Sequence, residues 1–296
     1  MLRRTFAASL AALAGGARIA DAKPLLTIVA TFSILADLVE QVAGDKAQVS
    51  ALVGPDGNVH VYSPTPSDVV RIARAELIVF NGLGLDGWLS RIMSASASRA
   101  VCLLATEGLS PLHDPTGAAL KLDPHCWHDV SQARRYVANI ASSLKAIDAG
   151  NVALYDARAS AYDARLAALD GWIRGEIDAV DPARRKVITG HDAFRYFGRA
   201  YGVEFHCAFG VDPESEPSAR DIAAIISLAR RERINALFIE NLSNPTLIEQ
   251  IAHDTGVAIG AKLYSDALSP ADGPAPTYEA MMRHNTSALV AGMKRN

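Results

Sequence analysis

Three histidines and one aspartate stand where a folded chain could present ligands. His60 lies in Gly54-Pro-Asp-Gly-Asn-Val-His60-Val-Tyr-Ser-Pro-Thr-Pro-Ser67, just past a stretch with strand character. His125 lies in Asp123-Pro-His-Cys-Trp-His-Asp129, ahead of a helix, and His191 in Thr189-Gly-His-Asp-Ala-Phe194, where a strand turns into a helix. Asp266 ends Leu263-Tyr-Ser-Asp266, past the last strand. Three of the four follow the carboxyl ends of strands, the edge at which open α/β sheets hold ligands. Three imidazoles and a carboxylate suit a tetrahedral Zn²⁺ site, or a wider Mn²⁺ site if the carboxylate binds through both oxygens. The four are dispersed over most of the chain, so spacing alone does not bring them together.

Three neighbours belong to the same question. His128 follows His125 by one helical turn, which would let it approach the same site or leave it as an exposed or outer imidazole. Glu240, in Phe238-Ile-Glu-Asn241, ends a strand on the same side. It is placed to orient a ligand histidine, to cap a helix, or to sit on the surface as an ordinary acid. Cys126 offers a soft sulfur, but adjacent residues seldom both point inward.

The elements that must position these residues form two α/β blocks. In the first, strand-like runs at 26–31, 49–53, 77–80 and 101–104 alternate with helical periodicity at 33–42, 67–73 and 86–93. The second block places strands at 186–189, 203–205, 236–239 and 257–263, with helices at 193–200, 218–230, 247–254 and 278–293. Such alternation marks parallel sheets with helices on their faces. Between the blocks, Tyr155, Tyr162, Leu166, Leu169, Ile173 and Ile177 recur at helical spacing. One continuous helix of about 40 Å at 1.5 Å per residue fits, a rigid connector weakened only by Gly171 and Gly175.

Composition narrows the class. The chain has 296 residues, enough for two domains, half of them hydrophobic and 21% charged, with a net charge of −3. That balance argues against disorder and against a nucleic-acid-binding protein, which would carry a basic excess. Arg3 and Arg4, the apolar run Thr5–Ala14 and Ala20-Asp-Ala22 read as an export signal. The arginine pair leaves the twin-arginine route open. Removing residues 1–22 takes away three arginines and one aspartate and moves the net charge from −3 to −5. No cysteine follows the cleavage site, so the expectation is a free periplasmic monomer with no lipid anchor. The three cysteines, Cys102, Cys126 and Cys207, do not make a disulfide scaffold.

Gly82-Leu-Gly-Leu-Asp-Gly87 matches the dinucleotide fingerprint G-x-G-x-x-G, with an acid, Glu107, about twenty residues on. It follows the third strand of its block, however, and an exported protein has little access to a recycled nicotinamide. The glycines are read instead as serving a tight turn and close helix packing.

Taken in order, Gly54-Pro-Asp…His60-Val-Tyr-Ser-Pro-Thr-Pro-Ser-Asp68, Asn81-Gly-Leu-Gly-Leu-Asp-Gly-Trp88, Asp123-Pro-His-Cys-Trp127, Gly190-His-Asp-Ala-Phe194 and Glu216-Pro-Ser-Ala-Arg-Asp221 resemble the metal-binding solute-binding proteins of zinc and manganese ABC importers. The likeness covers essentially the whole chain past the signal. It implies two Rossmann-like α/β lobes (residues 23–150 and 179–296) joined by a long helix at 151–178, with one metal ion in the cleft between them. Matched position by position, His60 and His125 come from the first lobe, and His191 and Asp266 from the second. Histidine at position 191 points to zinc, since manganese carriers often place glutamate there. The implied partner is an importer's membrane permease, and the implied role is binding rather than catalysis. A manganese carrier, a zinc hydrolase with Glu240 as general base, and a surface adhesin of the same fold are the alternatives. Two features depart from the family pattern. Glu107–Leu122 is short and carries only His113, where many zinc carriers have a long histidine-rich loop, and His128 is unusual at its position.

Overall fold

The run Leu26-Thr-Ile-Val-Ala-Thr-Phe32 is almost wholly buried, as a strand covered on both faces must be, and forms β1 at the centre of the first sheet. In the computed structural model, which describes residues 24–113, 121–207, 218–242 and 245–296, this sheet has the order β2-β1-β3-β4 and every pairing is parallel. β2 is Ala47–Val53, β3 Leu77–Phe80 and β4 Val101–Leu104, each within two residues of the sequence expectation. The export signal, Glu216, Pro217 and residues 114–120 of the 107–122 segment lie outside the described residues.

Helices α1 (Ser33–Ala43), α2 (Pro66–Arg74) and α3 (Leu89–Ser96) cross between these strands. α2 begins where its sequence says it should. Pro66 occupies the first turn, and Thr65 and Asp68 form a reciprocal capping box. α3 begins later than the expected Asp86, because the Asp86 carboxylate is spent closing the turn that precedes it. It accepts hydrogen bonds from the backbone of Asn81 and Gly82 and from the Thr31 hydroxyl.

Val130–Ile147 forms α4, the helix expected after His125, and Asp129 caps it by accepting from Ser131 N. α5 then runs unbroken over Val152–Asp178. Its buried positions are Tyr155, Tyr162, Leu166, Leu169, Ile173 and Ile177, the periodic set read from the sequence. It packs on α1 and α4, on α6 (Arg195–Tyr201) and on α9 (Tyr278–Met293). Gly171 and Gly175 face open space, so no packing contact requires a glycine at either position.

The second sheet repeats the strand order of the first with less regular pairing. β5 (Lys186–Thr189) pairs in parallel with β6 (Glu204–Cys207). The segments expected as full strands at 236–239 and 257–263 instead meet their neighbours through single parallel bridges: Ile188 with Leu237, Leu237 with Ile259, and Glu240 with Leu263. Backbone hydrogen bonds still join these segments, Phe238 N–H to Ile188 O at 3.0 Å and Leu263 N–H to Ile239 O at 2.9 Å, and the Phe238 ring lies where a Cβ on Gly260 or Gly292 would collide. α7 (Ala219–Glu232) and α8 (Thr246–Thr255) pack against each other. Among the described residues no helix is long and apolar enough to cross a membrane.

Candidate metal centre

Each of the four singled-out residues sits on a differently anchored segment. His60 rides a loop after β2 that is pinned from three sides. The Trp88 indole donates to Val59 O at 3.0 Å, the Tyr62 hydroxyl to Asp68 at 2.7 Å, and the His60 backbone N–H to Asn58 Oδ1 at 2.9 Å. His125 opens a short 3₁₀ turn, Cys126–His128. The buried Asn81 side chain holds that segment from the Gly-rich turn, donating to Pro124 O and accepting from the Tyr136 hydroxyl. His191 follows β5 directly. Asp266 follows Tyr264, whose backbone N–H and carbonyl are both clasped by the Asn285 amide.

These segments bring His60, His125, His191 and Asp266 together, with one potential ligand atom of each within 4.8 Å of all the others. His125, His191 and Asp266 are fully buried, and the His60 side chain is 9% exposed. Asp266 Oδ1 lies 3.1 Å from His125 Nε2 and 3.8 Å from His60 Nε2, while Oδ2 lies 3.1 Å from His191 Nε2. Despite this proximity, the three Nε2 atoms and Oδ1 have no hydrogen-bond partner of suitable geometry. Buried polar atoms are nearly always satisfied, so four orphans facing one small space fit a divalent cation. Ligands of a tetrahedral zinc lie about 3.4 Å apart, so the widest pair of the cluster needs to close by only about 1.4 Å.

Two of the histidines are backed by carboxylates. Asp123 Oδ1 lies 2.8 Å from His125 Nδ1 and also accepts the His125 backbone N–H. Glu240 contacts His191 Nδ1 through one oxygen and takes the Gly190 and His191 backbone N–H groups on the other. A carboxylate on Nδ1 fixes the tautomer that leaves Nε2 free to bind a cation. The sequence reading considered this task for Glu240 and missed it for Asp123, although Asp123 stands two residues before His125 in the same motif. With one oxygen on two backbone N–H groups and the other against Nδ1, Glu240 is placed to orient His191.

The electrostatics follow from burial and these neighbours. Burial alone would lower the His125 pKa, but Asp266 and Asp123 outweigh it and raise it to about 9. His191 is likewise held well above its ordinary value by Glu240 and Asp266 against the pull of burial. Asp266, whose burial favours the neutral acid, is driven well below the usual carboxylate range by His191 and His125. Protons and a metal ion therefore compete for the same atoms.

The remaining candidates stay outside the cluster. His128 is fully buried rather than exposed, and its Nε2 faces Ser265 O at 3.0 Å. Cys126 is buried with its thiol pushed up to about 12, chiefly by desolvation, so it is no ready thiolate. Cys102, Cys126 and Cys207 are all free. In the Gly82–Gly87 turn the Asp86 carboxylate folds back and accepts the Asn81 and Gly82 N–H groups, placing a negative charge where a phosphate would have to approach.

Comparison with known proteins gives the family. The chain matches the family described as "Zinc-uptake complex component A periplasmic" over residues 28–292. It is 31% identical over 271 residues to the manganese-binding lipoprotein MntA of Halalkalibacterium halodurans, covering 91% of this chain and 89% of that protein. It is also 31% identical over 281 residues to the zinc-binding protein TroA of Treponema pallidum, covering 93% and 91%. The solved structure of the periplasmic zinc-binding protein TroA superposes with a TM-score of 0.86 at 29% identity, covering 91% of this chain and 99% of that one. A manganese-bound periplasmic metal-binding protein from Candidatus Liberibacter asiaticus does so with a TM-score of 0.81 at 26% identity, covering 90% and 99%. These relatives are binding proteins and not enzymes, and the chain belongs with them to the family of periplasmic metal-binding proteins that serve ABC importers.

Proposed function

We propose that this protein captures Zn²⁺ in the periplasm between His60, His125, His191 and Asp266 and delivers it to the permease of an ABC importer. The observation that carries the reading is the convergence of four unsatisfied ligand atoms from four separate segments, three of them fully buried. Three imidazoles and one carboxylate match the tetrahedral nitrogen-rich preference of zinc. Residues 23–150 and 179–296 act as the two lobes, 151–178 as the connector, and residues 1–22 as the export signal. Release requires one lobe's ligands to loosen, and Asp266 is the one assigned to move.

One feature favours a second reading, a manganese carrier. Both oxygens of Asp266 face histidines, so a two-oxygen grip would build a wider, more oxygen-rich site. Relatives named for manganese, zinc and iron stand at similar distance. Competition settles the choice. Chelator-stripped protein is titrated with Zn²⁺ and Mn²⁺ together while bound metal is counted. One zinc per chain, held against excess manganese, is expected. Preference for manganese would replace zinc in the reading, and tight binding of neither would sink it.

A further inference from the structure

Ser265, the residue before Asp266, has a carbonyl that receives two side-chain donors from the 3₁₀ turn after His125. Trp127 Nε1 donates to it at 2.9 Å and His128 Nε2 at 3.0 Å. A carbonyl oxygen only accepts, so Nε2 must carry the ring proton of His128. We infer that His128, through the Ser265 carbonyl it shares with Trp127, sets the position of Asp266 and thereby how tightly and how selectively the cluster holds a divalent cation.

Three contacts converge on this one side chain. Its own turn is closed by His128 N–H donating to His125 O at 3.2 Å. Its ring packs 4.5 Å, centroid to centroid, from Phe194, three residues after His191. Its Nε2 holds the Ser265 carbonyl, while the Ser265 hydroxyl donates to Asp266 Oδ2 at 2.9 Å. A single fully buried residue therefore touches three of the four segments that carry the cluster. The choice of residue is informative. Nδ1 of His128 is buried with no hydrogen-bond partner, so the ring carries a desolvation cost that a leucine of similar size would avoid. The donor at Nε2 is what the imidazole adds. Burial, with His125 nearby, also lowers the His128 pKa to about 3, so the ring stays neutral and puts no positive charge beside the cation.

His128 is thus a positioning residue, and the inference rests on the carrier reading above. The test compares Zn²⁺ and Mn²⁺ affinity and off-rate in wild type, His128→Leu, His128→Gln and Trp127→Phe. His128→Leu should weaken zinc binding about 10–100-fold, the usual range for loss of a residue that orients a ligand. Manganese should lose more than zinc, because it depends more on the carboxylate oxygens. His128→Gln, which restores an N–H donor, should recover most of both losses. Trp127→Phe, which keeps a ring and removes the other donor, should shift affinity in the same direction. Wild-type affinities in His128→Leu would overturn the inference, as would a folded His128→Gln no better than His128→Leu. Should His128→Leu fail to fold, unchanged metal affinity in Trp127→Phe would overturn it equally. A wild-type protein that binds neither metal defeats the carrier reading itself, a result distinct from any of these.

Discussion

In the first half of the molecule β1 meets β2 and β3 along continuous parallel ladders, whereas in the second half only β5 and β6 do so and the rest of the sheet joins through single bridges. The strand order is the same in both. What differs is the source of order near the candidate ligands. Around His60 and His125 it comes from side-chain bonds made by Trp88, Tyr62, Asn58 and Asn81, backed by a regular four-stranded ladder with helices on its faces. Around His191 and Asp266 it comes from side chains: the Asn285 amide clasping Tyr264, the Phe238 ring against two glycines, and Glu240 tying down the Gly190–His191 backbone. The second half is therefore the one in which single substitutions should disturb the site most.

The largest expected effect is at the residue shared by all three histidines. Asp266→Ala should weaken metal binding by more than about 100-fold, beyond what loss of an orienting partner costs, as isothermal titration would show. An affinity within tenfold of wild type would mean that the histidines alone hold the ion.

Next come the two backing carboxylates. Asp123→Ala and Glu240→Ala should each weaken binding about 10–100-fold. Glu240→Ala should also destabilise the chelator-stripped protein more, since it strips two buried N–H groups of their acceptor at about 1–3 kcal/mol each. Equal thermal stability of the two variants would erase the proposed difference between the halves.

The pH dependence follows with its sign fixed. His125 is raised above its unfolded value, so its contribution to the stripped protein is full below about 6.5 and is lost as pH rises through about 9. His191 is raised in the same sense. Asp266 is depressed, so its contribution is present above its ordinary range near 3.8 and is lost only as pH falls through its lowered value. Metal requires the neutral imidazoles. Affinity should therefore climb between pH 6.5 and 9, by about tenfold per pH unit for each proton displaced, and the metal-induced rise in Tm should grow with it. A flat profile over that range would contradict the charge state assigned to the cluster.

Two packing substitutions complete the series. Gly260→Ala forces a Cβ into the Phe238 ring and should cost about 1–3 kcal/mol in denaturant unfolding. Gly171→Ala, on the exposed face of α5, should stabilise by up to about 1 kcal/mol.

Much of this was legible in the sequence because the information was local. The α5 stripe from Tyr155 to Ile177 is a periodicity within one helix, and the strands of the first half are short apolar runs between turn signals. The four candidate ligands were found through ordered motifs, not through spacing. What escaped was long-range or made by backbone. The Ser265 carbonyl carries no signal in residue type, so the contact that places Asp266 could not be read. The meeting of Phe238 with Gly260 and Gly292 joins residues whose separation no pattern encodes. Asp123 was legible in principle, since an acid two residues before a ligand histidine can fold back onto its Nδ1, but the motif was read for its histidine alone. The Gly82–Gly87 fingerprint misleads for the opposite reason. Its glycines do form the expected turn, yet Asp86, a residue the fingerprint leaves unspecified, turns its carboxylate onto the Asn81 and Gly82 N–H groups.

The most direct test of the central claim is zinc K-edge X-ray absorption on the stoichiometrically loaded protein. The account predicts nitrogen and oxygen scatterers only, with the outer-shell signature of three imidazoles. A sulfur scatterer, which would bring Cys126 into the site, or a signature of fewer than three imidazoles would contradict it.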